Sequence, residues 1–208
     1  MSHDDRRAPT TTLWLPEPRW SSLVHAYLAR STVGCNLQGR DRHNRFPATS
    51  FITLSWFLVG SVELLAADRE TAVREMPRWL LNGRQGPVES RNLGDLQYFG
   101  VSLYPDAFTA AFGVPVRALE GQMLDATQVL PPAAQAMGAA VATAATDLQR
   151  IALFEAYLAE HAAGFKASLW TGAVRSGTQL SVRLLARLLR LGDRQTLRAL
   201  RERLGVGV

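Results

Sequence analysis

Cysteine is almost absent from this 208-residue chain: Cys35 stands alone, so no internal disulfide framework exists. Lysine is as scarce, Lys166 being the only one among the 23 basic residues. His3, His25, His43 and His161 are scattered, and no pair has the spacing of metal ligands, so neither a metal nor another cofactor is expected. The carboxylates are dispersed, and no pair stands out as acid and base. Cys35 with His25 or His43 has no third feature to support a nucleophile and its base, and a buried thiol is the commoner role. Asn82-Gly83-Arg84-Gln85-Gly86 has glycines but neither phosphate-loop spacing nor a Lys-Ser/Thr pair, which makes it a turn. An enzyme is therefore not expected. Long apolar runs are missing too. The longest, Phe51 to Gly60, is interrupted by Thr53 and Ser55 and is too short to span a bilayer. The opening MSHDDRRAPTTT is polar and lacks a signal-peptide apolar region. These absences point to a cytoplasmic protein with no membrane partner.

What is present is an ordinary hydrophobic content of 47% and a net charge of +5 that is unevenly placed. From Arg175 to Val208 there are eight arginines against Asp193 and Glu202, a local charge of +6, which leaves −1 for the first 174 residues. A near-neutral body with a basic tail is the asymmetry of a sensor joined to a nucleic-acid binder. A plain solvated basic surface is the competing explanation.

Along the chain, residues 1–12 read as a disordered leader. Pro16 and Pro18 keep Leu13 to Trp20 out of a helix interior. Ser22 to Arg30 is compatible with a short helix or a strand, and Asn36 to Asn44 with a loop. Ala48 to Ala67 reads as a hairpin about Gly60-Ser61, its first strand largely buried. Trp79-Leu80-Leu81 before Asn82-Gly83 suggests another strand and turn, and Leu96 to Leu103 a further strand ended by Tyr104-Pro105. Strands with polar turns and no alternating long helices argue for an antiparallel sheet or small barrel. After Pro105 the period becomes helical. Asp106 to Phe112 is a short helix stopped by Gly113. Gln128 to Leu158, interrupted at Pro131-Pro132, is Ala-rich, with Leu148, Ile151, Phe154, Tyr157 and Leu158 as its packing stripe. Trp14, Trp20, Trp56, Trp79 and Trp170 are candidates for a pocket, although core packing is the commoner role of a tryptophan. The expected fold class is α+β: a β-rich antiparallel domain with trailing helices over residues 13–160, then a basic helical region over 165–208.

The tail carries the sharpest pattern. From an N-cap at Ser181, Leu184, Leu185, Leu188 and Leu189 fall on one helical face. Arg183, Arg187 and Arg190 fall on the other, with Ala186 beside them. Gly192-Asp193 breaks the pattern. A second helix follows, with Leu197, Leu200 and Leu204 inward and Gln195, Arg198 and Glu202 outward. Two short basic amphipathic helices about a tight turn suit groove reading in DNA.

Several of these stretches resemble a known family. His43-Asn44-Arg45-Phe46-Pro47-Ala48 and the strand ending Trp56-Phe57-Leu58-Val59-Gly60 look like the amino-terminal, cupin-like sensor domain of some AraC-type bacterial transcription regulators. Phe99 to Gly113, with Tyr104-Pro105-Asp106-Ala107, is similar to the later part of that domain. In the tail, Ser181, Arg183, Leu185, Arg187 and Leu189 match the family's recognition-helix pattern. Gln195, Leu197, Arg198 and Leu200 then look like the start of the helix that links its two DNA-binding halves. A rival register puts the recognition helix at Arg194 to Leu204, with Gly192 where serine is expected and Thr196 where an aliphatic is expected. The family has two helix-turn-helix halves, and this sequence holds at most one, so the expected DNA-binding region is partial and the chain truncated. A single half makes fewer phosphate contacts, which counts against tight specific binding by one copy.

The resemblance implies a transcription regulator whose amino-terminal domain senses a small-molecule effector or pairs two copies, while a basic helix enters the major groove of a double-stranded operator. Arg183 and Arg187 would read base edges, guanine O6 and N7 being the natural partner of an arginine fork, and Ala186 would meet a thymine methyl. Arg190, Arg194 and Arg198 would hold phosphates, with Gln195 in the same candidate surface. The alternative is a sensor and dimerisation protein that no longer reads DNA and acts on an intact relative.

Overall fold

The structure is a computed structural model that describes residues 7–66, 72–84 and 86–166. Within them lie two antiparallel sheets followed by helices, the α+β arrangement expected from the change of period after Pro105. The first sheet has six strands. They are β1 (Thr10–Trp14), β2 (Val24–Ser31), β4 (Ile52–Val59), β7 (Trp79–Asn82), β9 (Gln97–Leu103) and β10 (Met123–Asp125), in the order β1-β2-β9-β4-β7-β10. The second holds β3 (His43–Phe46), β5 (Val62–Leu65), β6 (Ala72–Glu75) and β8 (Val88–Asn92), in the order β3-β8-β5-β6.

Strand β4 shows how the layers arise. Its residues alternate as any strand's do, but both of its faces are covered, so the sequence does not read as apolar-in and polar-out. Ile52, Leu54 and Trp56 enter a core shared with the helices, and Phe57 enters a second core shared with Val62 and Val88 of the other sheet. Trp56 sits opposite Trp79 on one side and Phe99 on the other. Its ring stacks on Trp79 with centroids 5.4 Å apart. Its Nε1 donates to the Gly138 carbonyl at 3.0 Å, which ties the sheet to the helix above it.

Four helices cover that face. Helix α1 (Pro105–Phe112) starts on a proline, whose missing N–H costs nothing there, and stops at Gly113, whose φ of 69° is the left-handed C-cap conformation. A short α2 (Ala126–Val129) is capped by Asp125. Helix α3 (Pro132–Thr143) packs so closely on Trp79 that a Cβ at Gly138 would lie 2.5 Å from Trp79 Cζ3. Helix α4 (Asp147–His161) opens with a capping box between Thr146 and Gln149. Phe154 and Leu158 are fully buried on it, and the Tyr157 hydroxyl donates to the Ala111 carbonyl at 3.0 Å.

Four details differ from the sequence reading. Residues 10–12, read as leader, are in β1, which pairs along its whole length with β2. The stretch about Gly60 is not a hairpin: β4 pairs with β7 and β9, whereas β5 pairs with β6 and β8, so the chain crosses there from one sheet to the other. Apolar alternation marks strands but not their partners, and a turn signal marks either kind of link. The stripe on α4 is rotated from the expected one. Leu148 is exposed, while Arg150 is buried and donates to Asp147 Oδ1 at 2.7 Å. The break at Ala144-Ala145-Thr146 restarts the helix, so Leu148 belongs to its first turn and not to a continuous stripe from Gln128. Strand β10 also returns to the sheet beside β7 after the helical period has begun. No helix among the described residues is long and apolar enough to cross a membrane.

Candidate functional site

The inner faces of the two sheets do not meet everywhere. Where they part they leave a partly open cavity of about 250 Å³. Its cause is legible in the central strands. On the inward face of β4 and β9 stand Thr53 and Ser55, and Gly100 and Ser102, small residues where a packed core would carry leucine or phenylalanine. Larger side chains close the surroundings: Leu28, Phe57, Leu80 and Met123 from the first sheet, Val62, Leu64 and Val88 from the second, with Met76 and Leu96 from the links between strands.

The pairing registers order this lining into rows. Arg30 lies opposite Tyr98, and Tyr98 opposite Phe57. Leu28 lies opposite Gly100, which lies opposite Ser55. Thr53 lies opposite both Ser102 and Asn82. Arg84, which also lines the cavity, follows two residues past Asn82. Arg30 and Arg84 are therefore at opposite ends, at least the length of Thr53 to Phe57 apart, about 14 Å along a strand.

Tyr98 is held over the cavity wall by a glycine. A Cβ at Gly100 would lie 2.6 Å from Tyr98 Cζ, so the ring can fold back along β9 only because residue 100 has none. In that position the phenol and the Ser55 hydroxyl are 3.1 Å apart and share a hydrogen bond. Burial pushes the Tyr98 phenol up from its ordinary value, against the opposing effect of the Ser55 bond, so it stays neutral. Gly100→Ala is expected to drive the ring into the cavity and break that bond, at about 1–3 kcal/mol for overpacking. Chemical denaturation measures the cost, and a crystal structure of the variant shows the ring. An unmoved ring at unchanged stability would contradict the packing described.

Across the cavity, the second sheet contributes an amide network. Asn44 Nδ2 donates to Asn92 Oδ1 at 2.7 Å, and Ser90 Oγ lies 3.5 Å from the same nitrogen. Asn92 Nδ2 is buried without a hydrogen-bond partner among the described residues, and so is Arg30 Nε. Among the described residues no aspartate or glutamate lines the cavity.

The residues expected to touch DNA (Arg183, Ala186, Arg187, Arg190, Arg194, Gln195 and Arg198) all lie outside the described residues, as does Trp170. The other tryptophans do not line the cavity: Trp56 and Trp79 are buried in the core beneath the helices, and Trp14 and Trp20 pack against it. Cys35 is buried. Among the described residues no group of three or more His, Cys, Asp or Glu is arranged to hold a metal ion. Sequence reasoning missed the cavity. Thr53 and Ser55 registered only as interruptions of an apolar run, and Gly100 and Ser102 as part of a strand. The signal was that both pairs keep the two-residue period of one strand face.

No protein-family model matches the chain. No curated protein matches it either.

Proposed function

We propose that the chain is a transcription regulator of the AraC type, in which residues up to about 160 form a cupin-like domain that takes a small-molecule effector and the basic tail reads double-stranded DNA. The observation that carries the reading is the cavity between the sheets: a partly open, mostly apolar cleft with a few converging polar groups is the usual form of a small-molecule site. The tail's +6 charge, set against a body of −1, supports the second half. The domain also acts in pairing two copies, which would bring the reading helices of both onto one operator.

The parts are linked in this reading, so an effector must change DNA affinity, and DNA must change effector affinity by the same factor. A small-molecule screen by thermal shift finds compounds that raise the melting temperature, and each is then titrated with and without duplex. Equal compound affinities in both states would contradict a sensor coupled to DNA.

The roles within the tail are separable. Arg183→Ala or Arg187→Ala should lose sequence preference, by about 1–3 kcal/mol for each bidentate base contact. Arg190→Ala should weaken binding to all duplexes alike and lower the log–log salt slope by about one unit. Binding to matched and mismatched duplexes at several salt concentrations separates the two. In the rival register the preference moves to Arg194 and Arg198.

A further inference from the structure

The cavity's polar groups say more than that something small enters. Arg30 projects from β2 into a lining that is largely apolar, beside Phe57, Leu96 and the neutral Tyr98 phenol. The residue as a whole is half-buried, but its Nε is buried and has no acceptor among the described residues, and no carboxylate among them lines the cavity. A guanidinium keeps its charge in any protein setting and cannot escape by losing a proton. A buried N–H without an acceptor is costly to the fold, and an anion that arrives from outside would supply the acceptor that Nε lacks. We propose that the cavity binds a small monocarboxylate with an apolar body, the carboxylate taken by Arg30. This rests on the cavity being the effector site.

Each term of that class follows from the geometry. The fork of a guanidinium matches a carboxylate in two parallel hydrogen bonds. Tyr98, neutral and already placed over Gly100, supplies a further donor on the same side. The second cation, Arg84, leaves the backbone about 14 Å or more further along the strands, so Arg30 is the cation of its own row. Beyond that end the lining is mostly apolar, with Thr53, Ser55, Ser90 and Ser102 set among leucine, valine and methionine, and it suits an aryl or alkyl body. The volume of about 250 Å³ suits a small molecule.

The test is titration of the full chain, by calorimetry, with benzoate, octanoate and their primary amides, and with a neutral pentose. The carboxylates should bind roughly ten- to hundredfold more tightly than their amides, the worth of charge-assisted hydrogen bonds. Arg30→Met should abolish that preference while still admitting the amides. Its unliganded melting temperature should be at or above the wild-type value, because the substitution removes an unpaired buried donor. A structural role for Arg30 would lower it instead. Arg30→Lys, which keeps the charge but not the fork, should fall between the two. Amides or the pentose binding as tightly as the carboxylates would overturn the proposal yet leave the cavity as a ligand site. Failure of every probe, charged and neutral, to bind would overturn both.

Discussion

Trp56→Ala is expected to cost about 3–5 kcal/mol, the range for removing a buried aromatic. A domain of this size is stable by only about 5–15 kcal/mol, so much of the folded population would be lost. Trp56 is 1% exposed and stands at the centre of an aromatic group. It stacks on Trp79, lies 5.8 Å from Phe99 centroid to centroid, and meets Phe154 of α4 edge-on. The indole is also the polar link between the sheet and α3, through its bond to the Gly138 carbonyl. The neighbours are held by their own strands and helices and cannot collapse into the space, so the cavity contribution adds to the lost transfer energy. Trp56→Phe keeps most of the volume and loses the hydrogen bond, so its cost should be well below that of alanine. Denaturant unfolding followed by far-ultraviolet circular dichroism gives both numbers. An alanine variant with the wild-type midpoint would show that the sheet and the helices do not share this core.

Gly60→Ala carries the second large effect, for a reason of backbone and not of burial. The residue links β4 to β5 with φ at +74°, and a Cβ built there falls on the carbonyl of Asp95. A left-handed conformation costs a side-chain-bearing residue about 1–2 kcal/mol. Overpacking adds about 1–3 kcal/mol. Relief by a shift of the Asp95 segment is opposed by its own bonds: Asp95 Oδ2 accepts from the Gly34 amide at 2.9 Å, and the Leu93 amide donates to the Ser61 carbonyl at 3.0 Å. The expected loss is therefore about 2–5 kcal/mol. Gly34→Ala is the matched control, because Gly34 has φ of +76° but open space where its Cβ would stand. It should show the conformational cost alone. Equal losses at the two positions would mean that the crossing between sheets is not tightly packed.

These two positions also mark what a reader of the sequence gains and misses. Trp56 is in the most apolar run of the chain, and its burial follows from that run alone. Gly60 was recognisable as punctuation, but the choice between a hairpin and a crossing depends on which strands pair, and pairing is a property of distant segments. Strand β8 shows the same limit from the other side: Val88-Glu89-Ser90-Arg91-Asn92 is mostly polar. It becomes a strand because Glu63 of β5 accepts from Arg91 Nε at 2.6 Å and because Ser90 and Asn92 turn inward. The cavity followed this rule too. Thr53, Ser55, Gly100 and Ser102 look unremarkable one by one, and only the antiparallel register of β4 with β9 sets them together as one missing patch of core. Arg30 had no sequence signal at all, since nothing local distinguishes an arginine facing a cavity from one facing solvent.

The claim on which the rest depends is that this chain reads DNA sequence. Selection of the full 208-residue protein against a random duplex library, with the enriched pool sequenced and re-tested beside the Arg183→Ala variant, measures it directly. One enriched sequence family is expected, bound more tightly than the starting library, with a variant that loses the preference while retaining salt-sensitive binding to any duplex. A pool that never departs from the starting composition, bound equally by wild type and variant, would contradict it.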